Sequence, residues 1–141
     1  MKRLLASLCL LSLLTTPLIA APDYHVDVDA AGTGAGNNWA NACTLTYALA
    51  NAIDGNEIWL AKGIYTNGAD PSFIVNDDLT IYGGLTNGAT TVAERSTGAS
   101  HLDGEGSRRI LLVNDNPILD GVTVTNAYGD DGAGMHKDGF Y

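Results

Sequence analysis

Between Ile53 and Gly84 lie three short apolar runs, Ile58-Trp59-Leu60, Phe73-Ile74-Val75 and Leu79-Thr80-Ile81-Tyr82, with Gly, Asn, Asp and Pro in the gaps. Short runs of β-branched and aromatic residues bounded by such breakers read as strands. None of the gaps holds a helix, so the usual strand–helix–strand route to a parallel sheet is closed, while hairpins remain an alternative. The Ile58 and Leu79 runs begin 21 residues apart, a period on which coil-type repeats stack. The expectation is that Ile58 lies over Leu79 on successive coils of a parallel β-helix.

The chain begins Met1-Lys2-Arg3, runs apolar from Leu4 to Leu14 and reaches Ala20-Ala21 through Thr15-Thr16-Pro17. A basic start, a short apolar core and small residues at the end describe a secretory signal peptide spanning residues 1–20. The apolar run is shorter than a membrane span needs. Export to the extracellular space, the cell surface or the periplasm is therefore expected. Its removal leaves 16 acidic residues against five basic ones. Such a surface repels nucleic acid and anionic lipid, which excludes both as expected partners, and no membrane span is expected once the signal is removed. Cys43 would then be the one remaining cysteine, a small buried residue with no internal disulfide partner. Some 120 residues make one domain with a modest core.

Two regions are expected after the signal peptide: residues 21–57, holding a strand, a loop and a capping helix, and residues 58–141, holding the coils. Tyr24, Val26 and Val28 alternate with His25, Asp27 and Asp29, the period of an opening strand with one wet face. Asp27 and Asp29 are weak calcium candidates, because carboxylates suit a hard cation. A solvated strand face explains them more simply, since the EF-hand spacing is missing. No cofactor is expected otherwise. The Gly/Asn stretch 30–41 reads as a loop, with Trp39 packing over one end of the core. From Thr44 to Ile53, Leu45, Leu49, Ala52 and Ile53 form one helical stripe. Thr44 is placed to cap the helix and Gly55 to stop it. This helix is expected to cover the first coil, as terminal caps do in repeat folds.

Downstream, Leu102-Asp103-Gly104 recurs as Leu119-Asp120-Gly121, and a β-branched residue followed by Asn closes five segments, at Asn67, Asn76, Asn87, Asn114 and Asn126. Asn tolerates the left-handed conformation of a sharp corner, and stacked amides bond to one another. These five read as corner residues. The segment 85–100 breaks the period and is expected to protrude as a loop. About three coils, each rising ~4.8 Å, leave a C-terminal end without a covering helix.

Taken in order, these stretches resemble the N-terminal part of secreted, pectin-lyase-like right-handed parallel β-helix proteins. The resemblance is carried over about residues 24–136 by Tyr24-His-Val-Asp, Asn38-Trp-Ala-Asn-Ala42, the Ala/Leu helix, Gly55-Asn-Glu-Ile-Trp-Leu-Ala-Lys-Gly-Ile-Tyr-Thr66 and Leu79-Thr-Ile-Tyr-Gly-Gly84. Cys43-Thr44-Leu45 is similar to the Cys-Ser-Leu-Arg-Glu-Ala opening of a bacterial surface group, with Thr46 and Tyr47 in place of Arg-Glu. Phe73-Ile-Val-Asn76 and Gly132-Ala-Gly-Met135 are loosely similar to repeats of chlamydial polymorphic outer-membrane proteins.

The resemblance implies an all-β fold: a right-handed parallel β-helix of about three coils with an N-terminal capping α-helix. Its polysaccharide-cleaving relatives imply that a glycan enzyme would use Asp130, Asp131 and Lys137. Asp131 and His136 lie only five residues apart, too close for motifs expected on successive coils, so the chain is not expected to be an enzyme. The expected role is structural or adhesive, with neighbouring copies or cell-surface polysaccharide as partner. Tyr24, Val26 and Val28 would supply the assembly strand that pairs with the open C-terminal edge of another copy and builds a filament. A truncated piece of a longer adhesin is the other expectation for that open end, and a glycan-binding module the other expectation for the role.

Overall fold

The computed structural model describes residues 21–30, 34–129 and 132–137. The proposed signal peptide and both Asp130 and Asp131 lie outside the described residues.

The fold is mostly strands in parallel sheets, with one α-helix among the described residues. In chain order the elements are β1 (Tyr24–Val26), α1 (Leu45–Asn51), β2 (Glu57–Ala61), β3 (Gly63–Tyr65), β4 (Phe73–Val75) and β5 (Thr80–Leu85). They continue with β6 (Ser100–Asp103), β7 (Leu111–Val113), β8 (Ile118–Asp120), β9 (Val122–Thr125) and β10 (Met135–Lys137). The first sheet has the order β1-β2-β5-β8, the second β3-β6-β9 and the third β10-β7-β4. Every pairing between these strands is parallel. From β2 onward, consecutive strands enter the first, second and third sheets in turn.

The register differs from the expected one. Ile58 lies opposite Ile81, and Leu79 falls just before β5. Both Leu79 and Ile81 are buried, so alternation alone does not choose between them. The intervening turns choose. Gly55 N–H donates to the Asp78 carbonyl, Thr80 N–H to the Asn56 carbonyl, and Asp78 N–H to the Asp54 carboxylate. These bonds slide β5 forward by two residues.

Inward rows fill the main core. Val26, Ile58, Leu60 and Ile81 come from the first sheet, Tyr65 and Leu102 from the second, and Phe73, Val75, Leu111 and Val113 from the third. Each such residue stabilises the fold by roughly 1.5–3 kcal/mol on burial. Helix α1 adds Leu45, Ala48 and Leu49. Thr44 caps it as expected, its hydroxyl accepting from Tyr47 N–H at 3.2 Å. The helix ends sooner than the stripe predicts. Ala52 is already extended, so Ile53 leaves the buried face and is exposed, and Gly55 (φ +83°) belongs to the following turn. Cys43 is buried and free, and burial raises its thiol pKa.

A second apolar cluster covers the other face of the first sheet. Trp59, Leu85 and Ala89 are buried there, with Trp39, Tyr82 and Val92 against them. Trp39 therefore packs on the flank of the first sheet and not over an end of the core. Its indole N–H donates to the Ala89 carbonyl at 2.8 Å. His25 also faces this cluster and is buried, contrary to a wet strand face, lying 4.8 Å from the Trp39 ring and 5.9 Å from Trp59. The segment 85–100 does not protrude. Its apolar residues find the exposed flank of β2 and β5, and it is tied down by Asn87 to Asp27 (2.8 Å) and Arg95 to Asp120 (2.7 and 2.8 Å).

Candidate functional site

The two outer strands of the first sheet differ in what their main chain does, while β3 and β4 are outermost at the N-terminal end of the other two sheets. At the N-terminal end, β1 is bonded along both edges. Tyr24 and Val26 pair with β2, while His25 N–H donates to the Gly36 carbonyl (2.7 Å) and the His25 carbonyl accepts from Cys43 N–H (2.9 Å). Asp27 N–H donates to the Cys43 carbonyl at 3.2 Å. The strap that supplies these partners depends on glycine. A Cβ at Gly34 would stand 2.1 Å from the Ala42 carbonyl oxygen, and Gly36 has φ +77° and lies against the Cys43 sulfur. The Gly/Asn composition of 30–41 is that of an ordinary loop, and its glycine cluster is the available signal of a close backbone approach. Tyr24 and Val26 therefore offer no open edge to another copy, and Val28 lies beyond the end of the strand.

The C-terminal end is built the other way. Strands β8, β9 and β10 are outermost in their sheets among the described residues. Ile118 N–H donates back to the Leu79 carbonyl, and the Thr125 carbonyl accepts from Gly104 N–H. Main-chain groups alternate sides along a strand, so those of Leu119, Val122 and Val124 point to the open side. Inward positions at this level are half covered. Leu119, Val122 and Val124 pack onto the core, whereas Met135, in register with buried Leu111, is 57 % exposed. Ile118 and Tyr128 are also exposed. A recess of about 510 Å³ opens here between Val113, Asp115, Asn116, Leu119, Met135 and Lys137.

The edge is held in place from the flank. Arg95 grips Asp120 with both terminal nitrogens and lies over the Tyr82 ring at 5.2 Å. The pair raises the Arg95 pKa and lowers that of Asp120. Gly121 (φ +74°) turns the chain from β8 into β9 against the backbone of Gly83. At the rim, Asn116 N–H donates to Asp78 (2.8 Å), and Lys137 Nζ donates to Asn116 Oδ1 (2.6 Å). Desolvation, together with the hydrogen bond to and charge of Asp78, raises the Asp115 pKa.

Of the five corner asparagines, one pair stacks: Asn114 donates to Asn76 at 2.7 Å. Asn126 is the one among the five with left-handed backbone (φ +52°), and it donates to Asp103 at 3.0 Å. Asn67 binds the Ser72 carbonyl and Asn87 binds Asp27, so both tie loops instead of stacking. Asp27 and Asp29 form a turn in which Asp29 N–H donates to the Asp27 carboxylate. Among the described residues no group of three or more His, Cys, Asp or Glu is placed to hold a metal ion, and no helix is long and apolar enough to cross a membrane. Of the residues named for glycan chemistry, Lys137 is described and lies at the rim of the open end.

Comparison of the chain with protein-family models, with curated proteins and with solved structures finds no match.

Proposed function

We propose that this chain is a secreted or cell-surface structural and adhesive unit, a right-handed parallel β-helix capped at its N-terminal end, which works by accepting strands at its C-terminal edge. Support for the β-helix comes from the three parallel sheets entered in rotation and from the pectin-lyase-like order of motifs. The observation that carries the function is the contrast across the first sheet: β1 is bonded on both edges, whereas the outer main-chain groups of β8 turn outward with no described strand beyond them. An unpaired sheet edge is a template for β-augmentation. Export follows from the signal-like segment 1–20, and the excess of acid keeps the unit from nucleic acid and anionic lipid.

The test is the solution mass of the secreted chain across a concentration series, by light scattering after size exclusion. The proposal expects the mass to rise with concentration. A monomer at every concentration would refute assembly through this edge.

A further inference from the structure

We propose that the flank of the first sheet, over β1 and β2, holds a binding site for a small methylated ammonium ion that also carries a hydroxyl group. A recess of about 280 Å³ opens there, walled by His25, Trp39 and Trp59 and lined further by Asn38, Ala89 and Thr90. The imidazole stands at 73° to the Trp39 ring and 65° to the Trp59 ring. Rings set so nearly at right angles are the walls of an aromatic box, and ring faces attract an organic cation held among them. The walls are fixed before any ligand arrives. The Trp39 indole N–H donates to the Ala89 carbonyl at 2.8 Å, and that of Trp59 to the Glu57 carboxylate. Neither indole therefore has a donor left for an anion.

Charge selects the ion. No Lys or Arg lines the recess. The charged groups that hold its walls are carboxylates: Glu57 on Trp59, and Glu94, which accepts from the Thr90 N–H (3.0 Å) and hydroxyl (2.8 Å). The chain as a whole has 16 acidic residues against 7 basic ones. An anionic sugar or phosphate is repelled here and a cation drawn in. The hydroxyl answers to His25. This residue is 7 % exposed, and its Nδ1–H donates to the Gly36 carbonyl at 3.1 Å, which leaves a lone pair on Nε2. Nε2 has no partner among the described residues, and it is not sealed within the core. An acceptor so placed is costly unless a donor reaches it, and a ligand hydroxyl supplies one. Burial also lowers the His25 pKa, which spares the cation a like charge.

Both tryptophans of the chain line the recess, so intrinsic fluorescence reads its occupancy directly. The probe is choline, titrated into the secreted chain at about pH 9. There the α-amino group that signal cleavage leaves on Ala21, at the mouth, is mostly uncharged, whereas a quaternary ammonium is not. Saturable quenching is expected. The neutral isostere, with carbon in place of the nitrogen, is expected to bind at least tenfold more weakly. Tetramethylammonium, which lacks the hydroxyl, should bind several-fold more weakly than choline. Trp39→Leu, checked for wild-type strand content by circular dichroism, should weaken binding at least tenfold by calorimetry, and Trp39→Phe should weaken it less. Absence of saturation would overturn the site, and equal binding of choline and its isostere would overturn the choice of a cation. Tetramethylammonium binding as tightly as choline would overturn the place of the hydroxyl on His25. Co-sedimentation of the chain with phosphatidylcholine vesicles, which carry the same ammonium on a lipid, would overturn the assignment to a free ion.

Discussion

Gly83 is the position at which a single methyl group tests the packing most sharply. It sits in β5 where the register with β2 shifts, between Trp59 opposite Tyr82 and Ala61 opposite Leu85. A Cβ there would lie 2.5 Å from the Gly121 carbonyl oxygen and 2.9 Å from its carbon. Non-bonded contacts of that kind need roughly 3.0–3.5 Å, so β5 and the β8–β9 turn must part by at least half an ångström, against backbone on both sides. Overpacking of this kind costs about 1–3 kcal/mol. With no flexible side chain to yield, Gly83→Ala is expected near the top of that range, a fall in Tm of about 8–12 °C for a domain of this size. Gly68→Ala is the control, because a Cβ there meets nothing within 4 Å. Thermal unfolding followed by circular dichroism measures both. A Gly83→Ala variant that melts within 2 °C of Gly68→Ala would refute the close approach of β5 to the β8–β9 turn.

Ser100 is fully buried and bridges two strands, its hydroxyl accepting from Gly84 N–H at 2.9 Å and donating to the Ala61 carbonyl at 2.8 Å. Ser100→Ala leaves both groups without that partner and is expected to cost about 1–3 kcal/mol in urea unfolding. His25 is held below its ordinary pKa by burial, partly opposed by the Gly36 carbonyl. A lowered folded pKa means that the unfolded chain binds the proton first, so stability is full above about pH 6.5 and falls as the pH drops below it. Unfolding free energies at pH 7.5 and 5.5 should show that loss, and His25→Gln should abolish it. Asp115 has the opposite sign: its raised pKa gives a contribution present at low pH and lost as the pH rises through the folded value. Asp115→Asn should therefore remove a rise in stability seen on acidification. Added salt should strengthen self-association overall, because it screens repulsion between strongly acidic copies.

The strands themselves were legible because their signal is local: β-branched runs ended by Asn, Gly and Asp. Thr44 was legible for the same reason, its cap depending only on Tyr47 three residues away. What escaped depended on partners distant in sequence. Leu85 and Ala89 are two small or aliphatic residues in a segment rich in Thr, Gly and Asn, and only the flank made by Trp59 and Trp39 buries them. The same flank buries His25, whose alternation with Val26 otherwise marks a wet face. The two-residue error in the β2–β5 register came from main-chain bonds in the turns at Gly55 and Asp78, which side-chain pattern does not encode. In the asymmetry across the first sheet, the closure of β1 was not legible, because Gly36 and Cys43 lie 11 and 18 residues from His25 and bond to it through main-chain groups.

Amide hydrogen exchange on the dilute secreted chain, resolved residue by residue, tests that asymmetry most directly. The amides of His25 and Asp27 should be protected, their acceptors being Gly36 and Cys43. Those of Leu119, Val122 and Val124 should exchange near the rate of open chain and slow on concentration, as the edge finds its partner. Protection of these three in dilute solution equal to that of β5 would contradict an open C-terminal edge, and with it the account of what this protein does.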